Sequence, residues 1–193
     1  MKICFATNNP NKLKEIRQIL GTGFEIVSLQ DIGCHEELPE THETLEENSA
    51  EKAEYVYVRY QVPVFADDTG LEVDALNGEP GVYTAMYAGP ERDAHKNMQK
   101  VIDGLAGKPD RAAAFRTIIT YIDASGTFAF EGKVTGRIAA QQRGAEGFGY
   151  DPIFMPEDYA ETFAELPSEV KNSISHRKRA IQKLVDFLKR DKN

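Results

Sequence analysis

The sequence predicts an α/β protein, and three observations carry that expectation. The chain opens strand–helix–strand: an apolar run at Lys2–Ala6, a helical pattern through Leu20, then alternation over Phe24–Leu29. A second apolar run, Val62–Ala66, follows an amphipathic helix and stops in Asp67-Asp68-Thr69-Gly70. Further extended runs and an amphipathic helix alternate over 91–140. In an open α/β sheet, ligands sit beyond the carboxyl ends of the strands. A strand ending in two carboxylates, a hydroxyl and a glycine therefore marks the expected site. Neighbouring strand residues face opposite ways, so Asp67 and Asp68 serve different partners: one can face a metal or water while the other is held in place. The same four residues also make good turn composition, and the expectation is a turn.

The 193 residues suit one domain, or two closely packed lobes, with a real core. Apolar residues make up 41% and charged residues 28%, as in ordinary globular proteins. The net charge of −8 argues against general binding to nucleic acid or anionic membrane. An anionic substrate would therefore need a local basic pocket and a cation. No run approaches the roughly 20 apolar residues of a spanning helix. Met1-Lys2-Ile3-Cys4-Phe5 turns polar too soon for a secretion signal. Cys4 and Cys34 follow no metal or redox spacing and read as buried thiols of a cytoplasmic protein.

Between the first strand and helix stands Thr7-Asn8-Asn9-Pro10-Asn11-Lys12. Backbone N–H groups at such a helix start form an anion seat, and Lys12 adds a charge suited to phosphate. These residues could equally cap the helix. Leu13, Ile16 and Leu20 form its apolar face, and Gly21 and Gly23 end it. After a loop at 31–44, a helix from Thr44 to Tyr60 carries the stripe Leu45, Ser49, Ala53, Val56 and Tyr60. Lys52 falls inside that stripe, with Asn48 one step to its side. An inward lysine needs a counter-charge or ligand, unless its amine snorkels outward. Glu47 and Glu54 lie on the solvated face. Spacing permits Glu40 to join Asp67 and Asp68 in an oxygen-ligand set for Mg²⁺.

Leu71–Leu76 is apolar and acidic by turns, and residues 78–89 form a glycine- and aromatic-rich loop suited to a pocket wall or a dimer contact. The helix expected over Glu91–Leu105 turns Ala94, Met98, Val101, Ile102 and Leu105 inward and leaves Asn97 at the flank, where it could serve the site but reads first as a surface amide. Ala113–Ile122 and Phe128–Lys133 form a hairpin across Asp123-Ala124-Ser125-Gly126, and Val134–Ala140 reads as a further strand. In Arg143–Pro152, three glycines surround Phe148, Tyr150 and Asp151, where a base could stack or a core aromatic could close a turn. Ile153-Phe154 is a short apolar element. Lys171, His176 and Arg177 precede or begin a final helix with Ala180, Ile181, Leu184, Phe187 and Leu188 buried. Cations at a helix start oppose the macrodipole and suggest a nearby anion or carbonyl-rich ligand, or else a solvated surface.

These pieces in this order resemble the Ham1/RdgB-like inosine triphosphate pyrophosphatases. The anchors are Thr7–Lys12, Glu47-Asn48…Lys52-Ala53, Ala66–Leu71, Gly81-Val82-Tyr83, Gly147–Pro152 and Lys171…Ser175-His176-Arg177. The resemblance spans nearly the whole chain. It implies an elongated mixed β-sheet with flanking helices, two lobes around a central nucleotide-binding cleft, one domain over 1–193 and a homodimer. It implies Mg²⁺-dependent hydrolysis of ITP, dITP and XTP to monophosphate and pyrophosphate. By position, Thr7, Asn8, Asn9, Pro10, Asn11 and Lys12 would hold phosphates and Lys52 would contact them. Asp68 would be proton acceptor and metal ligand with Asp67 beside it, Glu40 would bind metal, and Thr69 would touch substrate. Phe148, Gly149, Tyr150, Asp151, Lys171, His176 and Arg177 would recognise the base. The family often reads Tyr-Ser-Ala-Arg-Tyr where this chain has Tyr83-Thr84-Ala85-Met86-Tyr87, so any charge contact of that arginine is missing. Two other readings are a pyrophosphatase for modified pyrimidine nucleotides, as in the similar Maf-like fold, and a non-catalytic nucleotide- or RNA-binding module. The His176-Arg177 ending argues against the first and the acidic charge against the RNA-binding form of the second.

Overall fold

A computed structural model describes residues 2–20 and 24–190. Strand β1 (Lys2–Phe5), helix α1 (Pro10–Leu20) and strand β2 (Glu25–Val27) form a βαβ unit, parallel in the register Lys2↔Glu25, Ile3↔Ile26 and Cys4↔Val27. Asn9 starts α1: its Oδ1 accepts from the N–H groups of Asn11 and Lys12, and Pro10 occupies the first helical position, where no N–H is missed. Gly21 and Gly23, expected to end this helix, lie outside the described residues. Helix α2 (Leu45–Tyr60) begins with Thr44 as its N-cap. The Thr44 hydroxyl accepts from Glu47 N–H at 3.2 Å and donates to the Glu47 carboxylate at 2.8 Å.

Strand β3 (Val64–Val73) returns parallel to β1, pairing Cys4↔Val64 and Phe5↔Phe65. It does not stop at Ala66. The expected turn at Asp67–Gly70 is strand, because both carboxylates find cations (below) and need no water. Beyond the two-residue strand β4 (Pro80–Gly81), which is antiparallel to the end of β3, come helix α3 (Ala94–Gly104), strand β5 (Ala112–Asp123) and strand β6 (Gly126–Ile138). Asp93 caps α3 through Lys96 N–H, and Ala94, expected inward, is exposed. The expected hairpin turn forms, with Asp123 Oδ1 accepting from Ser125 N–H at 2.8 Å. The two strands expected over 128–140 are one strand, β6. It stays continuous because Gly136 lets the backbone of Met155 approach, and β7 (Phe154–Pro156) pairs there in the antiparallel register Gly136↔Pro156 to Ile138↔Phe154. Helices α4 (Ser168–Ile174) and α5 (His176–Arg190) complete the chain. The sheet order is β2-β1-β3-β5-β6-β7, with β4 on β3. Parallel and antiparallel pairs coexist, so the expected mixed sheet with flanking helices is what forms.

The chain divides into two compact units, with the divisions falling inside β3, β5 and β6 and after the first residue of α5. The first holds Met1–Asp68, Thr117–Gly132 and Arg177–Asn193. Its strand faces separate by parity. Ile3, Phe5 and Phe65 pack with Ile16 of α1 and Ala180, Ile181 and Leu184 of α5, and the Phe5 and Phe65 rings stack at 4.6 Å. Cys4, Ala6, Val64 and Ala66 take the other face with Ala53 and Val56 of α2. Cys4 and Cys34 are both buried there as free thiols, and burial pushes the Cys4 thiol up to about 12. The second unit holds Thr69–Arg116 and Lys133–His176, around Leu71, Val73, Met98, Val101, Phe115, Phe154 and Phe163.

Candidate functional site

The same parity delivers the two aspartates to different helices. Asp67 shares the face of Phe65, so it points toward α1 and α5. Its Oδ1 accepts from Lys12 Nζ at 3.0 Å and its Oδ2 from Arg177 Nε at 3.2 Å. Asp68 shares the face of Val64 and Ala66, so it points toward α2, where Lys52 Nζ lies 3.5 Å from its Oδ1. The inward lysine of the α2 stripe is thus buried against counter-charge rather than snorkelling. Its closer partner is Glu40 Oε1, at 2.5 Å. Arg177 is itself buried and also donates to the Glu15 carboxylate from α1.

These environments push the two carboxyls apart. Burial would raise Asp67, but Lys12, Arg177 and Lys52 outweigh it and hold the carboxyl well below the usual range. At Asp68 burial prevails over Lys52 and Lys12, so its carboxyl sits above the ordinary value. Burial lowers Lys52, yet Asp68, Glu40 and Asp67 together raise it and keep it charged. Asp67 is therefore held as an anion, while at Asp68 burial favours the neutral form.

Within Thr7–Lys12, most polar groups organise the loop. Thr7 Oγ1 accepts from Asn9 N–H. Asn8 donates to Glu36 C=O and accepts from Leu38 N–H. Asn9 caps α1 as above, Pro10 and Asn11 are exposed, and Lys12 meets Asp67. The capping alternative is realised at Asn9, and only Lys12 brings a charge to the aspartates. Among the described residues no group of three or more His, Cys, Asp or Glu side chains is arranged to cage a metal.

In the second unit, Asp151 organises the glycine-rich turn. Its Oδ2 accepts from Phe148 N–H at 2.8 Å and from Lys171 Nζ at 2.7 Å, and that ammonium also lies 4.8 Å from the Phe148 ring centre. Gly147, at φ +78°, leaves room for the Asp151 carboxylate that any Cβ would strike. Gly149 and Phe148 are half-buried. Tyr150 takes the core alternative: it is buried, and its hydroxyl donates to Thr84 C=O at 2.7 Å. His176 is buried, its ring stacked on Phe115 at 4.7 Å. Thr69 is half-buried at the start of this unit. Asn97, expected as a surface amide, is buried. It accepts from Ala88 N–H at 2.7 Å and donates to Ala85 C=O at 3.0 Å, fastening the loop that exposes Tyr83 and Met86.

The sequence reading missed Glu15, whose only signal was its place beside Ile16 on the inner side of α1. The Arg177 guanidinium, expected to meet the base, donates to the Asp67 and Glu15 carboxylates.

A mixed sheet with flanking helices, whose strand β3 carries paired carboxylates against lysines of α1 and α2, defines an α/β class. The particular family follows from comparison: the Ham1 family model matches residues 3–187, and the chain belongs to the Ham1 family. It is 53% identical to a dITP/XTP pyrophosphatase of Porphyromonas gingivalis, over 97% of both chains. It is 47% identical to a protein of the same description from Bacillus subtilis, over 95% of this chain and 94% of that one. The solved Staphylococcus aureus Ham1 protein superposes with a TM-score of 0.90 at 38% identity, covering 99% of this chain and 100% of its own.

Proposed function

We propose that this protein hydrolyses non-standard purine nucleoside triphosphates (ITP, dITP and XTP) to the nucleoside monophosphate and pyrophosphate. The observation that carries the reading is the split pair of carboxylates: Asp67 locked between Lys12 and Arg177, and Asp68 on the opposite strand face beside Lys52. Water attacks the α-phosphorus, the bond to the bridging oxygen of the β-phosphate breaks, and pyrophosphate leaves. Asp68 orients that water and takes its proton. Lys52 and Lys12 meet the developing phosphate charge, which is what phosphoryl-type transfer chiefly needs. Asp67 holds Lys12 in place.

Mg²⁺ fits the donor set. Glu40 Oε1 and Asp68 Oδ1 converge on one cation position, now taken by the Lys52 ammonium. Two carboxylates supplemented by substrate phosphates are a usual Mg²⁺ environment. When bound there, Mg²⁺ supplies charge neutralisation and a more acidic water. The half-buried face of Phe148, with Lys171 over it, suits a stacked base, and His176 and the Thr7–Asn11 loop serve as further substrate contacts. Two buried free thiols suit a cytoplasmic setting. The exposed Tyr83 and Met86 suit pairing as a homodimer.

The test is a panel of ITP, XTP, dITP, ATP and GTP with Mg²⁺ or EDTA, reading pyrophosphate and monophosphate. Metal-dependent pyrophosphate from ITP, dITP and XTP, with ATP and GTP nearly untouched, is expected. No turnover by the folded protein returns the reading to a binding module.

A further inference from the structure

The loop that carries Glu40 is fastened to α2 by four hydrogen bonds that the proposed reaction does not yet use. Asn48 is 3% exposed. Its Oδ1 accepts from His42 N–H at 2.9 Å and its Nδ2 donates to His42 C=O at 3.1 Å. Three residues along, Glu51 accepts from Thr41 N–H at 2.9 Å and from the Thr41 hydroxyl at 2.8 Å. Residues 41 and 42 are thus pinned side by side on one helix, and the residue before them is Glu40. Its carboxylate reaches Lys52, four residues after Asn48 and so on the same side of α2. The helix does not need these side chains for its own start, which Thr44 and Glu47 already cap. Their hydrogen-bonding capacity goes to the loop.

We propose that Asn48, assisted by Glu51, is the positioning residue for Glu40, holding its carboxylate over Lys52 and beside Asp68, where the reaction's cation is to sit. This rests on the role given to Glu40 above. A glutamate on a loop otherwise has several rotors and a mobile backbone to order before it can serve as a ligand. A clamp one residue away removes most of that cost, as the outer partners of metal ligands do elsewhere.

The test compares Asn48→Ala, Glu40→Gln and the double variant with the full protein. One readout is amide hydrogen exchange at Thr41 and His42, which needs neither metal nor turnover. The other is the Mg²⁺ concentration giving half-maximal pyrophosphate release at saturating ITP. Asn48→Ala should deprotect both amides and raise the Mg²⁺ requirement about 10-fold or more. Added to Glu40→Gln, it should change that requirement by less than about 2-fold, since the two act as one unit. Thr41→Val, which deletes a single bond at an exposed residue, should shift the requirement the same way by about 2- to 5-fold and covers the case in which Asn48→Ala does not fold. Full additivity with Glu40→Gln, or an unchanged Mg²⁺ requirement in the single clamp variants, overturns the proposal while leaving Glu40 in its role. A normal requirement in Glu40→Gln removes that role and the clamp's purpose with it.

Discussion

Asp67→Asn and Asp68→Asn are near-isosteric changes at adjacent residues, yet the structure separates their consequences. Asp67 is 1% exposed and lies between two cations, Lys12 at 3.0 Å and Arg177 at 3.2 Å. Removing its charge leaves Lys12 facing an amide and takes from Arg177 one of its two carboxylate partners named above, Glu15 being the other. Breaking one side of a buried pair costs about 3–5 kcal/mol. For a protein of this size each kcal/mol moves the melting temperature by about 2–4 °C, so Asp67→Asn should melt about 10 °C lower. Asp68 differs on each count. Burial already disfavours its charge, and Lys52 retains Glu40 at 2.5 Å when that charge is lost. Asp68→Asn should therefore melt within about 3 °C of the wild type while losing turnover by a factor of about 10² or more. Calorimetric melting paired with pyrophosphate release checks both. The sign with pH is also set. A depressed carboxyl stabilises the fold fully above its unfolded value near ~3.9, and the contribution fades only as pH falls toward the lower folded value. The gap between wild type and Asp67→Asn should hold from pH 7 down to about 4 and close below it. Equal melting of the two variants at pH 7 would refute the division of labour.

Three other outcomes are expected. The raised Asp68 carboxyl must lose its proton to act, so kcat/KM should fall on the acid side through a midpoint above the ordinary ~3.9; a profile flat down to pH 4 removes Asp68 as the base. EDTA should stop pyrophosphate release and excess Mg²⁺ restore it, whereas undiminished release in EDTA excludes the proposed cation. Phe148→Ala should weaken ITP binding by about 1–3 kcal/mol of lost stacking, seen in KM more than in kcat, and an unchanged KM would take the base away from that ring.

Much of the fold and part of the site could be read along the chain because they follow from local periodicity. The period of two fixed that Asp67 and Asp68 would face different partners, and the period of 3.6 put Lys52 inward before any partner was known. The asparagines before Lys12 offered caps for α1, and the apolar stripe from Leu45 placed α2. What the periodicities could not supply was the identity of partners distant in sequence. Arg177 and Glu15 stand 162 residues apart, and only the packing of α1 against α5 brings them together beside Asp67. That same packing turned the expected Asp-Asp turn into strand, since buried carboxylates stay in a ladder only when cations from elsewhere replace water. The buried amide of Asn97 looked like a surface residue for the same reason. A polar side chain reads as solvated until the backbone it satisfies, nine to twelve residues away along a loop, is seen to fold back onto it. Sequence alone thus determined most of the elements and the opposite facing of Asp67 and Asp68, while the tertiary structure decided which charge meets which, because Coulomb and hydrogen-bond partners are set by distance in space.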